Sequence, residues 1–177
     1  EESGTELNAN QILEFSGIPS SIVTTKNMDY IEAAHEFENG DIDAFFCTAG
    51  LTTTIIEELA RECDIRLISI DDRTIEKMLS YSNAYSRYTI PAGTYDGQEE
   101  AVNTIGVTSV LVTSDSMSED LIQQLTSMLF EKSKELQYST SLDLHLDEKF
   151  ATSNIPIPFH SGAAKYYEEN GLDVNLQ

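Results

Sequence analysis

The chain has no tryptophan, only four prolines and two cysteines, and ten basic residues against 31 acidic ones. Each shortage excludes something. A formal charge of −21 on 177 residues leaves too few Lys and Arg to displace counterions from a phosphate backbone, so nucleic acid is excluded as a partner. The same balance disfavours anionic membrane surfaces. No apolar run approaches the roughly 20 residues of a spanning helix, so no direct membrane insertion is expected. Two cysteines cannot build a disulfide framework. Cys63 sits at the apolar period of a helix and Cys47 inside an apolar run, which favours two buried free thiols over a bridge. His35, His145 and His160 stand singly, without the spacing of a zinc site. No Gly-x-Ser-x-Gly elbow, Walker loop or dinucleotide fingerprint occurs, so neither a cofactor nor a metal nor a catalytic residue is predicted. Asp96-Gly97-Gln98-Glu99 lacks the ligand periodicity of a calcium loop and reads as a turn. The acidic residues are scattered, as on a solvated surface.

What is present is a 40% apolar chain long enough for one domain or parts of two. Helices are predicted at about 4–15, 28–38, from about 50 to 63, and over 74–81. Strands are predicted at 20–25, 42–47 and 65–70. Gly17 and the pair Asn39-Gly40 supply helix stops. This alternation with short connections is the pattern of an α/β unit with a largely parallel sheet. Between Asn83 and Gly106 the character changes: Pro91, Gly93 and Gly97, with Tyr81, Tyr85, Tyr88 and Tyr95 crowded around them, mark a loop or crossover. A strand over 107–112 follows. Then comes an amphipathic helix with Leu121, Ile122, Leu125, Met128 and Leu129 as its apolar members and Ser116/Glu119 as its capping pair. A segment over 140–150 stays ambiguous, 155–158 is extended, and a last helix runs from Gly162 to Asn170.

The candidate chemistry lies in Ser3-Gly4-Thr5-Glu6-Leu7-Asn8. Ser3 and Glu6 have capping-box spacing. Gly4 leaves the backbone open, and Thr5 and Asn8 bring a hydroxyl and an amide to the positive end of a helix. Such a start is either an ordinary capped surface helix or a cradle for a carboxylate or phosphate. In parallel α/β sheets ligands bind beyond strand carboxyl ends, and Thr48, Ala49 and Gly50 occupy one such predicted end.

Four blocks, in order, carry a family resemblance. They are Ser-Gly-Thr-Glu-Leu-Asn-Ala at 3–9, Asn-Gly-Asp-Ile-Asp-Ala-Phe-Phe through Ala-Gly at 39–50, Ile-Pro-Ala-Gly-Thr-Tyr at 90–95, and Ile-Pro-Phe-His-Ser-Gly-Ala-Ala-Lys-Tyr-Tyr at 157–167. With these the chain resembles the extracytoplasmic solute receptors of TRAP transporters, specifically the TAXI subfamily. It departs from the pattern at Leu51-Thr52, where a small residue and Pro are usual, and in the position of Pro158 and Ser161 around the His block.

The resemblance implies an α/β, type II periplasmic-binding-protein-like fold with two lobes. Residues 1–86 would form most of the second lobe, 87–106 a hinge or crossover loop, and 107–177 the part returning to the first lobe. The chain opens without an initiator Met or signal peptide, and the family's N-terminal half would lie outside it, so this stretch alone is expected to bind weakly. The implied function is capture of a small organic anion, glutamate-like or another carboxylate, for an ion-gradient-driven TRAP permease, outside the cytoplasm and without catalytic turnover. Carried over by position, Ser3, Gly4, Thr5 and Asn8 match one wall of the ligand cleft. Thr48, Ala49 and Gly50 match a facing loop, and Thr94 and Tyr95 match a hinge-side loop that could equally be a structural turn. His160 reads as structural, anchoring the last helix. No Lys or Arg falls within the 3–9, 39–50 and 90–95 blocks that carry these ligand residues, so amides and hydroxyls rather than a salt bridge would hold the ligand. The alternatives are a binding-fold sensor or surface antigen without a transporter, and a small α/β enzyme.

Overall fold

The computed structural model describes residues 3–139, 146–153 and 155–175. The chain divides into two compact units, Glu1–Gly106 and Val107–Gln177.

The first unit opens with α1 (Gly4–Phe15), capped by Ser3, whose Oγ accepts from the Glu6 amide at 3.1 Å. Gly17 ends it at φ +76°, a left-handed turn that favours glycine. α2 (Tyr30–Asn39) starts on Asp29, which accepts from the Glu32 amide, and stops at left-handed Gly40. Ala33 and Ala34 give α2 a small buried face, and α3 (Thr54–Glu62) lies against it with Ile56 and Leu59 buried. α4 (Asp72–Tyr81) carries the centre of the core, with Thr74, Ile75 and Met78 at most 1% exposed. α4 is joined to α1 by an edge-on contact between Phe15 and Tyr81 and by a bond from Lys77 to the Phe15 carbonyl. That cation sits at the negative end of α1.

β1 (Tyr85–Ile90) and β2 (Val102–Val107) form a two-stranded sheet. Ser86 bonds the Gly106 carbonyl while Thr89 bonds Asn103, so the partner number falls as the strand advances and the pair is antiparallel. Arg87 on β1 reaches Asp72 at 2.6 Å and Glu76 at 2.8 Å on α4.

In the second unit, α5 (Glu119–Glu131) packs on α8 (Ser161–Glu169). Two shorter helices, α6 (Ser133–Ser139) and α7 (Glu148–Ala151), lie between them in the chain. Phe130 stacks on Tyr166 with centroids 5.6 Å apart, and Phe130 and Phe159 both meet Tyr167 edge-on. His160 anchors α8 as its N-cap. Its Nδ1 accepts from the Gly162 amide at 3.1 Å, so the ring proton sits on Nε2 and points to the Met117 carbonyl at 3.2 Å.

Several expectations are corrected. Among the described residues there is no parallel sheet. The runs 20–25, 42–47, 65–70 and 108–112 carry no strand, and Ser20–Ile22 is a 3-10 turn. β-branched composition favours an extended backbone, but a strand exists only where a ladder partner is present. The run 65–70 comes nearest. Ile70 donates to the Asn103 carbonyl at 2.9 Å, yet the Asn103 amide turns to the Ser69 hydroxyl, so the ladder stops after one bond. The stretch after Asn83, read as loop, supplies both strands instead: the β-favouring Tyr85, Tyr88, Thr89 and Ile90 find a ladder partner in 102–107 on the far side of the Pro- and Gly-bearing turn. α5 is capped by Ser118 rather than Ser116, whose hydroxyl bonds Ser114. Its apolar set does not share one buried face. Ile122 is buried with Thr126, while Leu121, Leu125 and Met128 are exposed. Cys47 and Cys63 are free thiols, but half-buried rather than buried. His145 and most of the ambiguous segment (140–145) lie outside the described residues.

Candidate functional site

The candidate residues of the first unit are brought together by side chains that no motif points to. Tyr30 is the first residue of α2, and the Asp29 cap fixes where that helix begins. Its hydroxyl lies 2.7 Å from Thr5 Oγ1 and 3.2 Å from the Thr48 carbonyl, and it accepts from the Thr48 amide at 3.1 Å. Asn8 joins the same group, its Nδ2 donating to Thr48 Oγ1 at 3.3 Å. Tyr85, at the start of β1, offers its one hydroxyl hydrogen to two acceptors, Asn8 Oδ1 at 3.0 Å and Gln11 Oε1. The start of α1, the start of α2, the 48–50 loop and the first strand thus meet in one hydrogen-bonded cluster.

The remaining candidates fall into three groups. Ser3 is committed to capping α1, while a β-carbon on Gly4 would meet nothing within 4 Å, so that backbone is open. The amides of Gly4 and Thr5, in the first helical turn, have no intrahelical partner. Ala49 is exposed, and the Gly50 carbonyl accepts from Thr53 Oγ1 at 2.6 Å, which shapes the loop leading into α3. Tyr95 is 9% exposed and donates to the Leu51 carbonyl, tying the 90–95 turn to the end of the 48–50 loop. Thr94 is not brought to the cluster: its hydroxyl bonds the Pro91 carbonyl inside its own turn, at 2.7 Å.

The cluster is electrically neutral. None of Thr5, Asn8, Tyr30, Thr48 and Tyr85 is bonded to a Lys, Arg or His among the described residues. Burial pushes the Tyr85 hydroxyl up from its ordinary pKa, and the neighbouring Tyr81 adds to the rise. Burial likewise raises Cys47, against an opposing hydrogen bond from Tyr30. For Tyr95 burial is again the main cause, opposed by a backbone bond from Thr53. All three groups therefore keep their protons at neutral pH, and the phenols act there as hydrogen-bond donors. Such a set can receive a ligand's acceptor atoms by hydrogen bonding. It offers neither a nucleophile with an adjacent base nor an ionised acid–base pair.

Among the described residues no group of three or more His, Cys, Asp or Glu is placed to hold a metal ion. No described helix is long and apolar enough to cross a membrane. Two surface hollows are lined by none of the cluster's residues. One is lined by Asp29, Glu32, Glu36 and Asp41 with His35, the other by residues 60–65 with Asp96 and Gly97.

Tyr30 and Tyr85 carry the assembly, yet no spacing rule isolates a tyrosine whose role depends on partners 18 to 77 positions away. The local sign available for Tyr30 is its place directly after a helix-capping aspartate. A family model matches residues 1–171, and by that match the chain belongs to the NMT1-like family, a periplasmic-binding-protein-like family of solute-binding character.

Proposed function

We propose that this chain is a solute receptor of the TAXI type that captures a small organic anion, glutamate-like or another carboxylate, for delivery to a TRAP permease outside the cytoplasm. Ser3, Gly4, Thr5 and Asn8 form one wall of the cleft and Thr48, Ala49 and Gly50 the facing loop. Tyr95 braces that loop from the 90–95 turn, and Thr94 contributes only to the turn itself.

One observation carries the reading: Asn8 on α1 meets Thr48 at 3.3 Å, so two separately matched blocks converge on one neutral, donor-bearing surface beside an open helix start. Open amides and hydroxyls suit a carboxylate. Binding-protein families of this kind are typically extracytoplasmic and generally non-enzymatic, which agrees with a cluster that pairs no nucleophile with a base.

Thermal-shift screening against L-glutamate, L-glutamine, glutarate and succinate tests the proposal. The expected result is concentration-dependent stabilisation by at least one acid and none by a neutral sugar. No stabilisation by any acid, together with a measured turnover, would overturn it. A gene for a large permease beside the one encoding this chain would distinguish a transport receptor from a free-standing sensor.

A further inference from the structure

A cleft built of neutral groups holds an anion only if its few hydrogens are free and steady, and one side chain governs both conditions. A phenol has one hydrogen to give and can accept at its oxygen. At Tyr30 the Thr48 amide donates to that oxygen at 3.1 Å, while the Thr48 carbonyl at 3.2 Å, Thr5 Oγ1 at 2.7 Å and Cys47 all lie within reach of its one hydrogen. The contact to Thr5 can run in either direction, since each hydroxyl can donate or accept. The Thr48 backbone thus faces a single hydroxyl with both its N–H, which donates to it, and its C=O. The Thr48 side chain accepts from Asn8 Nδ2 and keeps its own hydrogen. Asn8, held by Tyr85 through its carbonyl oxygen, keeps the second hydrogen of its amide. The network closes with two donors left over, one on Thr48 and one on Asn8, next to the open amides of Gly4 and Thr5.

We propose that Tyr30 is the positioning residue of this site: it pins the Thr48 loop to Thr5 and so presents the Thr48 and Asn8 donors together to a carboxylate. Tyr30 does not itself touch the solute. Its position is set by the Asp29 cap and the first turn of α2, so the strut is rigid before any ligand arrives. The inference rests on the solute-receptor reading.

The test is an NMR titration of the chain with L-glutamate and with glutarate, on the wild type and on Tyr30→Phe, Thr5→Val and Thr5→Ser, with amide exchange recorded for each. In the wild type the Thr5, Asn8 and Thr48 resonances shift saturably. Tyr30→Phe removes only the hydroxyl. It is expected to weaken binding about tenfold, the upper end of what one neutral hydrogen bond contributes, and to speed exchange of the Thr48 amide. Thr5→Val, which acts on the same contact from its other partner, weakens binding too, and Thr5→Ser restores it. A melting temperature lowered by Tyr30→Phe with unchanged affinity would show a purely structural residue and overturn the inference while the receptor reading stands. No binding of either acid by the wild type would overturn both.

Discussion

Gly162 on α8 lies so close to the backbone of α5 that a β-carbon there would fall 2.2 Å from the Glu119 carbonyl oxygen and 2.9 Å from the Gln123 amide nitrogen. Both are backbone atoms, so no side chain can swing aside. Gly162→Ala is expected to force the two helices apart and destabilise the second unit by about 1–3 kcal/mol or more. The loss should appear in urea unfolding followed by near-ultraviolet circular dichroism of the Phe130, Phe159, Tyr166 and Tyr167 cluster. An unchanged midpoint would show that the helices do not pack this closely in solution.

That glycine illustrates what the sequence makes legible and what it hides. Helix starts and stops rest on local chemistry, so Ser3, Gly17 and Asn39-Gly40 could be read directly and the structure agrees with them. His160 also keeps its expected anchoring role, because capping is decided within two residues. Strands depend on distant partners. The runs 42–47 and 65–70 have the composition of strands, yet no ladder forms on them among the described residues, and Ile68 stands 75% exposed. The close approach of α5 and α8 is likewise a relation between elements more than thirty residues apart, and nothing in Ser161-Gly162-Ala163 announces it.

Tyr166 makes the second unit sensitive to alkali. Burial, then the charge of Glu148 and a hydrogen bond to it, push the Tyr166 hydroxyl up to about 12 from an ordinary value of 10.0. The folded state therefore holds this proton more tightly than the unfolded chain does. Its contribution to stability is complete below pH 10 and is lost as pH rises through about 12. Tyr166→Phe keeps the ring stacked on Phe130 and removes the titration. Its melting temperature should fall less steeply than the wild type's over that window. Tyr167 is also raised, mainly by burial, so a residual slope remains. Parallel profiles for the two proteins would refute the assignment.

The candidate site was half legible. Thr5, Asn8 and Thr48 could be singled out from their blocks, since a hydroxyl and an amide at an open helix start have a local rationale. What joins them could not: Tyr30 and Tyr85 act through single phenolic oxygens on partners 18 to 77 positions away. A tyrosine has no short-range signature comparable to a cap or a turn. Thr94 shows the reverse. Its block reads as a loop beside the site, but its hydroxyl is already spent on the Pro91 carbonyl of its own turn.

Tyr95 offers the sharpest check on how the 48–53 loop is held. Its ring is 9% exposed, its hydroxyl donates to the Leu51 carbonyl, and the Thr53 backbone bonds the same oxygen. Two separable effects follow. Tyr95→Phe keeps the buried ring and deletes the tether, which should cost about 1 kcal/mol and speed amide exchange at residues 51–53. Tyr95→Ala removes the ring as well and should cost about 3–5 kcal/mol. If the loop matters to binding through its shape, Tyr95→Phe should also weaken carboxylate binding, with the Thr5 amide's exchange unchanged because that end of the cluster is held by Tyr30. Unfolding curves for both variants, read beside residue-resolved exchange, separate the tether from the packing. Equal losses for Phe and Ala would place the whole contribution in the hydroxyl, and no change at residues 51–53 in Tyr95→Phe would remove the tether altogether.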